Sequence, residues 1–176
     1  MKETGIVRRI DELGRVVIPK EIRKTLRISE GDPLEFFTES ERLVLKKYSP
    51  VGAIIELAKD AAASLNSKIG FSAAVCDTDR VLAAKGQPLK ELEKSALTEE
   101  VVKLLQSRKT LVSGDDENKI KIAEGDKKEY SRQIITPIIS RGDLCGGIIL
   151  VSCDEKITET VLSIASFLAD FIARQV

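Results

Sequence analysis

Positive charge is concentrated at the start of this chain, on residue types that bind acidic partners. Residues 1–27 hold eight Lys or Arg against four Asp or Glu, and since the whole chain holds 28 of each, the rest carries 20 against 24. This asymmetry indicates nucleic acid or another acidic surface as the partner of the basic part. Seven side chains recur there between short apolar pairs: Arg8, Arg9, Arg15, Lys20, Arg23, Lys24 and Arg27.

The elements that must position these side chains follow from local sequence. Turn residues interrupt β-branched runs at Asp11–Gly14 and around Ser40, and Pro19 suits the first position of a helix. Gly31 and Pro33 are typical of a helix end. The pattern therefore predicts strand, strand, short helix, strand, strand, with the strands at Thr4–Ile10, Arg15–Ile18, Leu34–Thr38 and Leu43–Tyr48.

The predicted helix is amphipathic. Pro19, Ile22 and Leu26 share one side, and the four basic residues from Lys20 to Arg27 gather on the other. A module of fewer than about 50 residues rarely buries enough apolar surface to fold alone. We therefore expect this module to pair with a second copy.

The N-terminal sequence is also recognisable. The run TGIVRRIDELGRVVIPKEIRKTLRISEGDPLEFF, followed by LVLKKY, resembles the swapped-hairpin DNA-binding domain of the AbrB-like transition-state regulators of spore-forming bacteria. The resemblance covers residues 1–50. It implies an intertwined dimer in which two chains interlock their hairpins and turn basic side chains toward double-stranded DNA.

By position in the motif, the DNA-contacting residues of that family fall on Arg8, Arg15, Arg23 and Lys24, and Arg9 joins them by its place in the same basic run. Close relatives often carry arginine where this chain has Lys24. Lysine keeps the charge for a phosphate but lacks the planar fork that reads guanine bidentately. From charge alone, Arg8 and Arg23 could instead pair with Asp11, Glu12 or Glu21 on a solvated surface.

After Pro50 the pattern becomes helical, and two apolar seams enclose a second module, residues 51–176. One seam is Val51, Ile54, Ala58, Ala61, Leu65 and the other is Ile157, Val161, Ile164, Leu168, Phe171. Both helices could bury their seams against a sheet of their own chain. Because each has further apolar residues on a second face, we expect helices 51–67 and 155–175 to form a four-helix bundle between chains, giving a homotetramer.

Between these helices the sequence predicts an antiparallel sheet, hence an α+β fold. The strands are expected at Phe71–Cys76, Val81–Lys85, Thr110–Ser113, Tyr130–Ser140 and Cys145–Cys153, with helix over Leu89–Ser107 broken near a capping Thr98. The order, and the closing hairpin PIISRGDLCGGIILVS, are similar to GAF domains. That similarity implies a small-molecule sensor, with a pocket between the sheet and the Leu89–Ser107 helices and residues 115–128 as a candidate lid.

Other chemistry is disfavoured. The chain has no His, which removes Ser-His-Asp and Cys-His catalysis. Asp77 and Asp79 are expected to serve a turn rather than a metal or a catalytic pair, and the cysteines to be small buried residues rather than oxidant sensors. We expect no enzymatic activity, no cofactor and no metal. Three scattered cysteines and no apolar run long enough to span a membrane favour a cytoplasmic protein.

The two resemblances together imply a tetrameric transcriptional regulator of sporulation genes, an activator, a repressor or both. A protein-binding role is the alternative, because related swapped-hairpin folds serve as antitoxins that neutralise toxin partners. Such antitoxins usually carry a short disordered tail for the toxin, whereas this chain carries a patterned second module.

Overall fold

The computed structural model describes residues 5–114, 119–127 and 130–176. The chain divides into two compact units, an N-terminal unit (Met1–Tyr48) and a C-terminal unit (Ser49–Val176). Each is described by itself. The assignment of residues 1–50 and 51–176 to two domains stays a prediction.

The N-terminal unit contains one short helix and one hairpin. Its elements are α1 (Lys20–Thr25), β1 (Leu34–Glu39) and β2 (Arg42–Lys47). The two strands pair antiparallel, with Leu34 opposite Lys47 and Glu39 opposite Arg42, and Ser40 takes a positive φ of 51° in the turn. The predicted hairpin is therefore confirmed. The helix is shorter than predicted, since Pro19 lies at its N-cap position and Leu26 at its C-cap position, and Arg27 takes a positive φ of 52°.

The first two predicted strands are wrong for the single chain. Residues 5–10 and 15–18 belong to no strand, and Thr4 lies outside the described residues. Only the tight turn is closed: the Asp11 N–H donates to the Arg15 carbonyl at 3.0 Å, and the Gly14 N–H donates to the Asp11 carbonyl at 3.0 Å. A β-strand needs an adjacent strand to which its backbone groups can hydrogen-bond, and within the described part of this chain these segments have no such partner.

Burial in the N-terminal unit is slight. None of residues 5–48 is buried. Large apolar side chains that a folded domain would normally cover lie open to solvent: Ile6, Val7, Ile10, Leu13, Val16, Val17, Leu26, Phe36, Phe37, Leu43 and Tyr48.

The C-terminal unit is built on a five-stranded antiparallel sheet. Its strands are β3 (Ser72–Cys76), β4 (Val81–Lys85), β5 (Leu111–Ser113), β6 (Arg132–Ser140) and β7 (Asp143–Ser152), in the order β4-β3-β7-β6-β5. Its helices are α2 (Pro50–Ala53), α3 (Ile55–Ile69), α4 (Glu99–Gln106) and α5 (Glu159–Ala173), with a 3-10 turn at Leu89–Leu92. The predicted cap is confirmed, since the Thr98 side chain accepts from the Val101 N–H.

Two separate apolar cores cover the two faces of this sheet. The first joins α3 and α5 to sheet residues such as Ala73, Ile134 and Leu150. The second joins the 3-10 turn and α4 to the opposite face, through Leu97, Leu105, Ile122, Ile135 and Ile149 among others. The second core occupies the space in which a pocket was predicted. A shallow depression with room for little more than a water molecule lies beside it, lined by Pro88, Glu91, Leu92, Gly125, Asp126 and Lys127.

The flanking helices pack on their own sheet. In α3 the predicted seam is buried at Ala58, Ala61 and Leu65. The predicted seam of the last helix is confirmed in part: Val161 is buried, and Ile157, Ile164 and Leu168 are half-buried against the same core, whereas Phe171 is 39% exposed. The centre of the buried face is Ala165, Ala169 and Ile172, which the prediction missed. Of the large apolar residues of α5, Phe167 and Phe171 are the ones turned toward solvent.

The candidate lid is partly buried in its described part, residues 119–127. Ile122, Ala123 and Asp126 are buried, and Ala123 forms an isolated β-bridge with Leu97. Lys121, Glu124, Gly125 and Lys127 are exposed, so the segment is anchored in the core at three residues rather than being free along its length. Residues 115–118 and 128 of the predicted lid lie outside the described residues.

A buried polar network fixes the same segment. The Asp126 carboxylate accepts from the Ile122 N–H at 2.8 Å and from the Tyr130 hydroxyl at 2.9 Å. The Gln133 side chain donates to the Ile120 carbonyl and accepts from the Ile120 N–H, each at 3.0 Å. Burial, followed by the nearby Asp126 charge, raises the pKa of Tyr130 well above its usual value.

The cysteines and the Asp77 turn complete this unit. Cys76 and Cys145 are buried as predicted, but Cys153 is exposed. Burial raises the pKa of the Cys76 thiol. Asp77 accepts from the Asp79 N–H at 2.7 Å, which is the turn role predicted for it. No helix among the described residues is both long and apolar enough to cross a membrane.

Candidate nucleic-acid interface

The Asp11 turn presents one of the predicted DNA-binding residues. The Asp11 Oδ1 atom accepts from the Leu13 N–H at 3.0 Å and the Arg15 N–H at 2.8 Å, and Oδ2 pairs with Arg15 Nε at 2.8 Å. An aspartate that binds the backbone two residues on is a common device for closing a turn. Even so, the Arg15 side chain stays 70% exposed.

Arg8 and Arg9 lie on the extended segment that enters this turn, and both are exposed. The Arg8 guanidinium donates to the neighbouring Val7 carbonyl at 3.1 Å. Within the part of the chain that the structure describes, the Arg9 side chain has no hydrogen bond or ion pair. Both guanidinium groups keep donors available to a partner.

Arg23 and Lys24 lie in the last turn of α1 and are exposed. Ile22 beside them is half-buried, so the basic face of α1 is turned to solvent as the amphipathic pattern predicted. Among the described residues, neither basic side chain is engaged in an ion pair. They resemble Arg9 in this respect.

The alternative pairing of Arg8 or Arg23 with nearby acids is not observed. Asp11 pairs with Arg15 instead, an i, i+4 contact that the sequence analysis missed although D-E-L-G-R places both residues at the ends of a turn. The hydrogen bond from the Arg15 backbone, followed by that from its side chain, lowers the pKa of Asp11. The carboxylate is therefore charged at neutral pH.

Comparison with known proteins extends this description. The family described as "Stage V sporulation protein T C-terminal, transcription factor" matches residues 53–176. Stage V sporulation protein T of Bacillus subtilis is 38% identical over 176 residues, covering 99% of this chain and 98% of that protein. The chain belongs to the stage V sporulation protein T family. The resemblance to sporulation regulators inferred from the sequence is confirmed.

The N-terminal residues of this family member are similar to shorter proteins as well. The transition state regulatory protein AbrB of Bacillus subtilis is 62% identical over 50 residues, which is 28% of this chain and 52% of AbrB. A family described as the bacterial antitoxin MazE matches residues 7–53. The AbrB-like character of the N-terminal domain is thereby confirmed.

Solved structures establish the fold of the second half. The GAF domain of an Acinetobacter phosphoenolpyruvate-protein phosphotransferase gives a TM-score of 0.59 at 12% identity, over 74% of this chain and 83% of that one. The GAF domain of CodY from Clostridium difficile gives 0.52 at 17% identity, over 88% and 92%. The predicted fold class, α+β with an AbrB-like domain followed by a GAF-like domain, is confirmed.

Proposed function

We propose that this stage V sporulation protein T family member is a transcriptional regulator of sporulation genes that binds double-stranded DNA through paired N-terminal domains. The residues proposed to contact DNA are Arg8, Arg9, Arg15, Arg23 and Lys24. One observation supports this most directly: all five side chains are exposed on a unit that buries none of its described residues. A pair of such units offers ten cationic groups to phosphates and base edges.

Pairing of the N-terminal units follows from their apolar surface. Val7 is 84% exposed and Val17 is 75% exposed, on segments flanking the turn that carries Arg15. Exposed large apolar side chains concentrated on one small unit are typical of a protein–protein interface. An intertwined dimer would cover these residues and would supply the strand partners that segments 5–10 and 15–18 lack within one described chain.

A second contact between chains would come from the C-terminal domain, through helices 51–67 and 155–175, giving a tetramer. On α5 the Phe167 and Phe171 rings stack with centroids 6.4 Å apart, and Phe167 is 70% exposed. Both helices pack in the same core of their own chain, so the support is stronger for α5, which in addition keeps these two aromatic side chains exposed.

The proposed assembly explains how the two domains would cooperate. A tetramer carries two DNA-binding pairs, and engagement of the first raises the effective concentration of the second where the geometry permits. A small molecule bound by the GAF-like domain would regulate binding only by favouring one arrangement of the pairs over another. The proposal includes no enzymatic step and places the protein in the cytoplasm.

Fluorescence anisotropy on AT-rich and GC-rich duplexes at several salt concentrations tests DNA binding. We expect tight binding with steep salt dependence, lost in an Arg15→Ala, Arg23→Ala variant. A matched control, Lys85→Ala with Lys103→Ala, removes the same charge from two exposed residues of the C-terminal unit. Equal behaviour of the two double variants would refute the proposed surface.

The antitoxin match over residues 7–53 supports a second candidate, a domain that neutralises a protein partner. The same measurement separates the two functions. Weak, sequence-blind DNA binding that both double variants share would favour the protein-binding function.

A further inference from the structure

Asp11 holds the guanidinium of Arg15 in one orientation. Its Oδ2 atom takes the Nε–H of Arg15 at 2.8 Å, while its Oδ1 atom is committed to the backbone N–H groups of Leu13 and Arg15. A guanidinium has five N–H donors in a rigid plane. With Nε–H engaged, the four N–H donors of Nη1 and Nη2 remain, two of which point along the outer edge of the plane, and the side chain stays 70% exposed.

The ion pair contributes little to stability, because exposed pairs are weak. Its main physical effect is to restrict the arginine: a long side chain that must be ordered on binding loses rotamer freedom, and a side chain ordered beforehand loses less. Bidentate recognition of a guanine edge or a phosphate depends on the direction of the guanidinium plane.

We propose that Asp11 is a positioning residue for DNA recognition, which aims the outer edge of the Arg15 guanidinium at the duplex. The inference rests on the proposed function and deepens it, by assigning a source of sequence specificity. Positioning and simple electrostatics predict different effects of removing the Asp11 carboxylate. Simple electrostatics requires that removing a carboxylate from a DNA-binding surface tightens binding to every duplex. Positioning by Asp11 requires that the same change weakens discrimination between duplexes.

The decisive variant is Asp11→Asn in the full chain. The amide oxygen still accepts from the backbone N–H groups of Leu13 and Arg15, so the turn is kept, but the charged partner of Arg15 Nε is lost. Glu12→Gln is the matched control, since it makes the same change of charge one residue away on an exposed side chain that has no hydrogen bond or ion pair among the described residues.

The assay measures affinity for a duplex selected by the native protein from a random pool and for a scrambled duplex of equal composition. Each variant is made with and without Arg15→Ala. We expect Glu12→Gln to tighten both duplexes by a similar factor, of about two- to threefold. We expect Asp11→Asn to lower the ratio of the two affinities by about three- to tenfold, and to have no such effect in the Arg15→Ala background.

Thermal unfolding followed by circular dichroism checks that the fold is kept. Asp11→Ser, whose hydroxyl also accepts from the turn backbone, is a second variant that should lower the affinity ratio in the same way. The inference is overturned if Asp11→Asn and Glu12→Gln behave alike, or if the loss of discrimination persists without Arg15.

Failure of the proposed function has a different signature. If the native protein does not prefer the selected duplex, or if Arg15→Ala alone changes nothing, the DNA-binding surface itself is wrong and the role of Asp11 falls with it. If the native protein discriminates and Arg15→Ala loses discrimination while Asp11→Asn keeps it, only the inference fails.

Discussion

The two units of this chain solve the burial of apolar residues in opposite ways. The C-terminal unit buries its large side chains in two cores, one on each face of its sheet. The N-terminal unit buries none of its described residues. The C-terminal unit has a complete core within one chain, whereas the N-terminal unit exposes the apolar side chains that a core would need. Stability is therefore expected to be a property of the single chain in one unit and of the assembly in the other.

Gly146→Ala tests whether the C-terminal unit depends on close packing within its own chain, and it has the largest expected effect. A Cβ at this position would lie 2.0 Å from the Cys76 carbonyl oxygen, which belongs to the backbone and cannot move aside cheaply. We expect a loss of about 4 kcal/mol or more in the free energy of unfolding. Chemical denaturation followed by circular dichroism measures it. Gly114→Ala is the control, since its Cβ would meet no atom of the described residues within 4 Å, and an equal loss there would contradict the steric reason.

Val17→Asp tests whether the N-terminal unit depends on pairing with a second copy. Val17 is 75% exposed in the single chain, so a change to aspartate should be harmless unless a partner covers it. We expect the dissociation constant for pairing to rise about 100-fold, because an unpaired carboxylate would be buried in each copy. Sedimentation of the whole chain measures this. Val112→Asp, at a 48% exposed position of the C-terminal unit, should leave the assembly unchanged.

The buried network of the C-terminal unit predicts a loss of stability in alkali. The pKa of Tyr130 is raised above its usual value of 10.0, mainly by burial. The contribution of Tyr130 to the free energy of unfolding is therefore complete below pH 10. It is lost as the pH rises from 10 toward the raised pKa of the folded protein, because the tyrosine of the unfolded chain releases its proton first. The expected slope reaches about 1.4 kcal/mol per pH unit.

Denaturation curves of the native protein and of Tyr130→Phe, recorded at several alkaline pH values, isolate this contribution. The phenylalanine variant is less stable throughout but should have a flatter pH dependence. Parallel slopes in the two proteins would mean that Tyr130 does not couple to folding.

The smallest expected effect concerns a hydroxyl that the first core leaves unsatisfied. Thr136 is buried, and its Oγ1 atom has no hydrogen-bond partner among the described residues. Thr136→Val should be neutral or should stabilise the protein by up to about 1 kcal/mol. Thr98→Val, which removes the cap of α4, should instead cost about 1 kcal/mol in the same thermal unfolding assay. Destabilisation by both would indicate a partner for Thr136.

Sequence reasoning succeeded where one chain supplies both sides of a contact. The closing hairpin of β6 and β7, the Thr98 cap and the Asp77 turn all follow from local residue types. It was incomplete at α5, where Ala165 and Ala169 are too small to stand out in an apolar seam yet are buried, whereas Phe171 of the predicted seam is exposed. It failed at Asp126, because a charged residue in a polar stretch is typical of solvent and only its contacts with Ile122 and Tyr130 reveal a buried position.

In the candidate interface, too, the exposed basic residues could be predicted from the sequence, whereas the contact between Asp11 and Arg15 could not. The motif identified Arg8, Arg15, Arg23 and Lys24, and all of them are exposed, but their contacts with DNA stay a prediction. The contact between Asp11 and Arg15 could not be derived from residue types, since Glu12 lies one residue closer to Arg15 in sequence. The turn geometry selects Asp11, whose short side chain reaches its own backbone two residues on.

The open apolar surface of the N-terminal unit also bears on how the protein is made. A chain leaves the ribosome from its N-terminus, so this unit is complete while residues 49–176 are still being synthesised. If the N-terminal units pair as proposed, the exposed valines and phenylalanines of this unit are available to another nascent chain from that moment on. Translation of neighbouring copies on one messenger RNA would bring such chains together at high local concentration, so the proposed pairing could begin during synthesis.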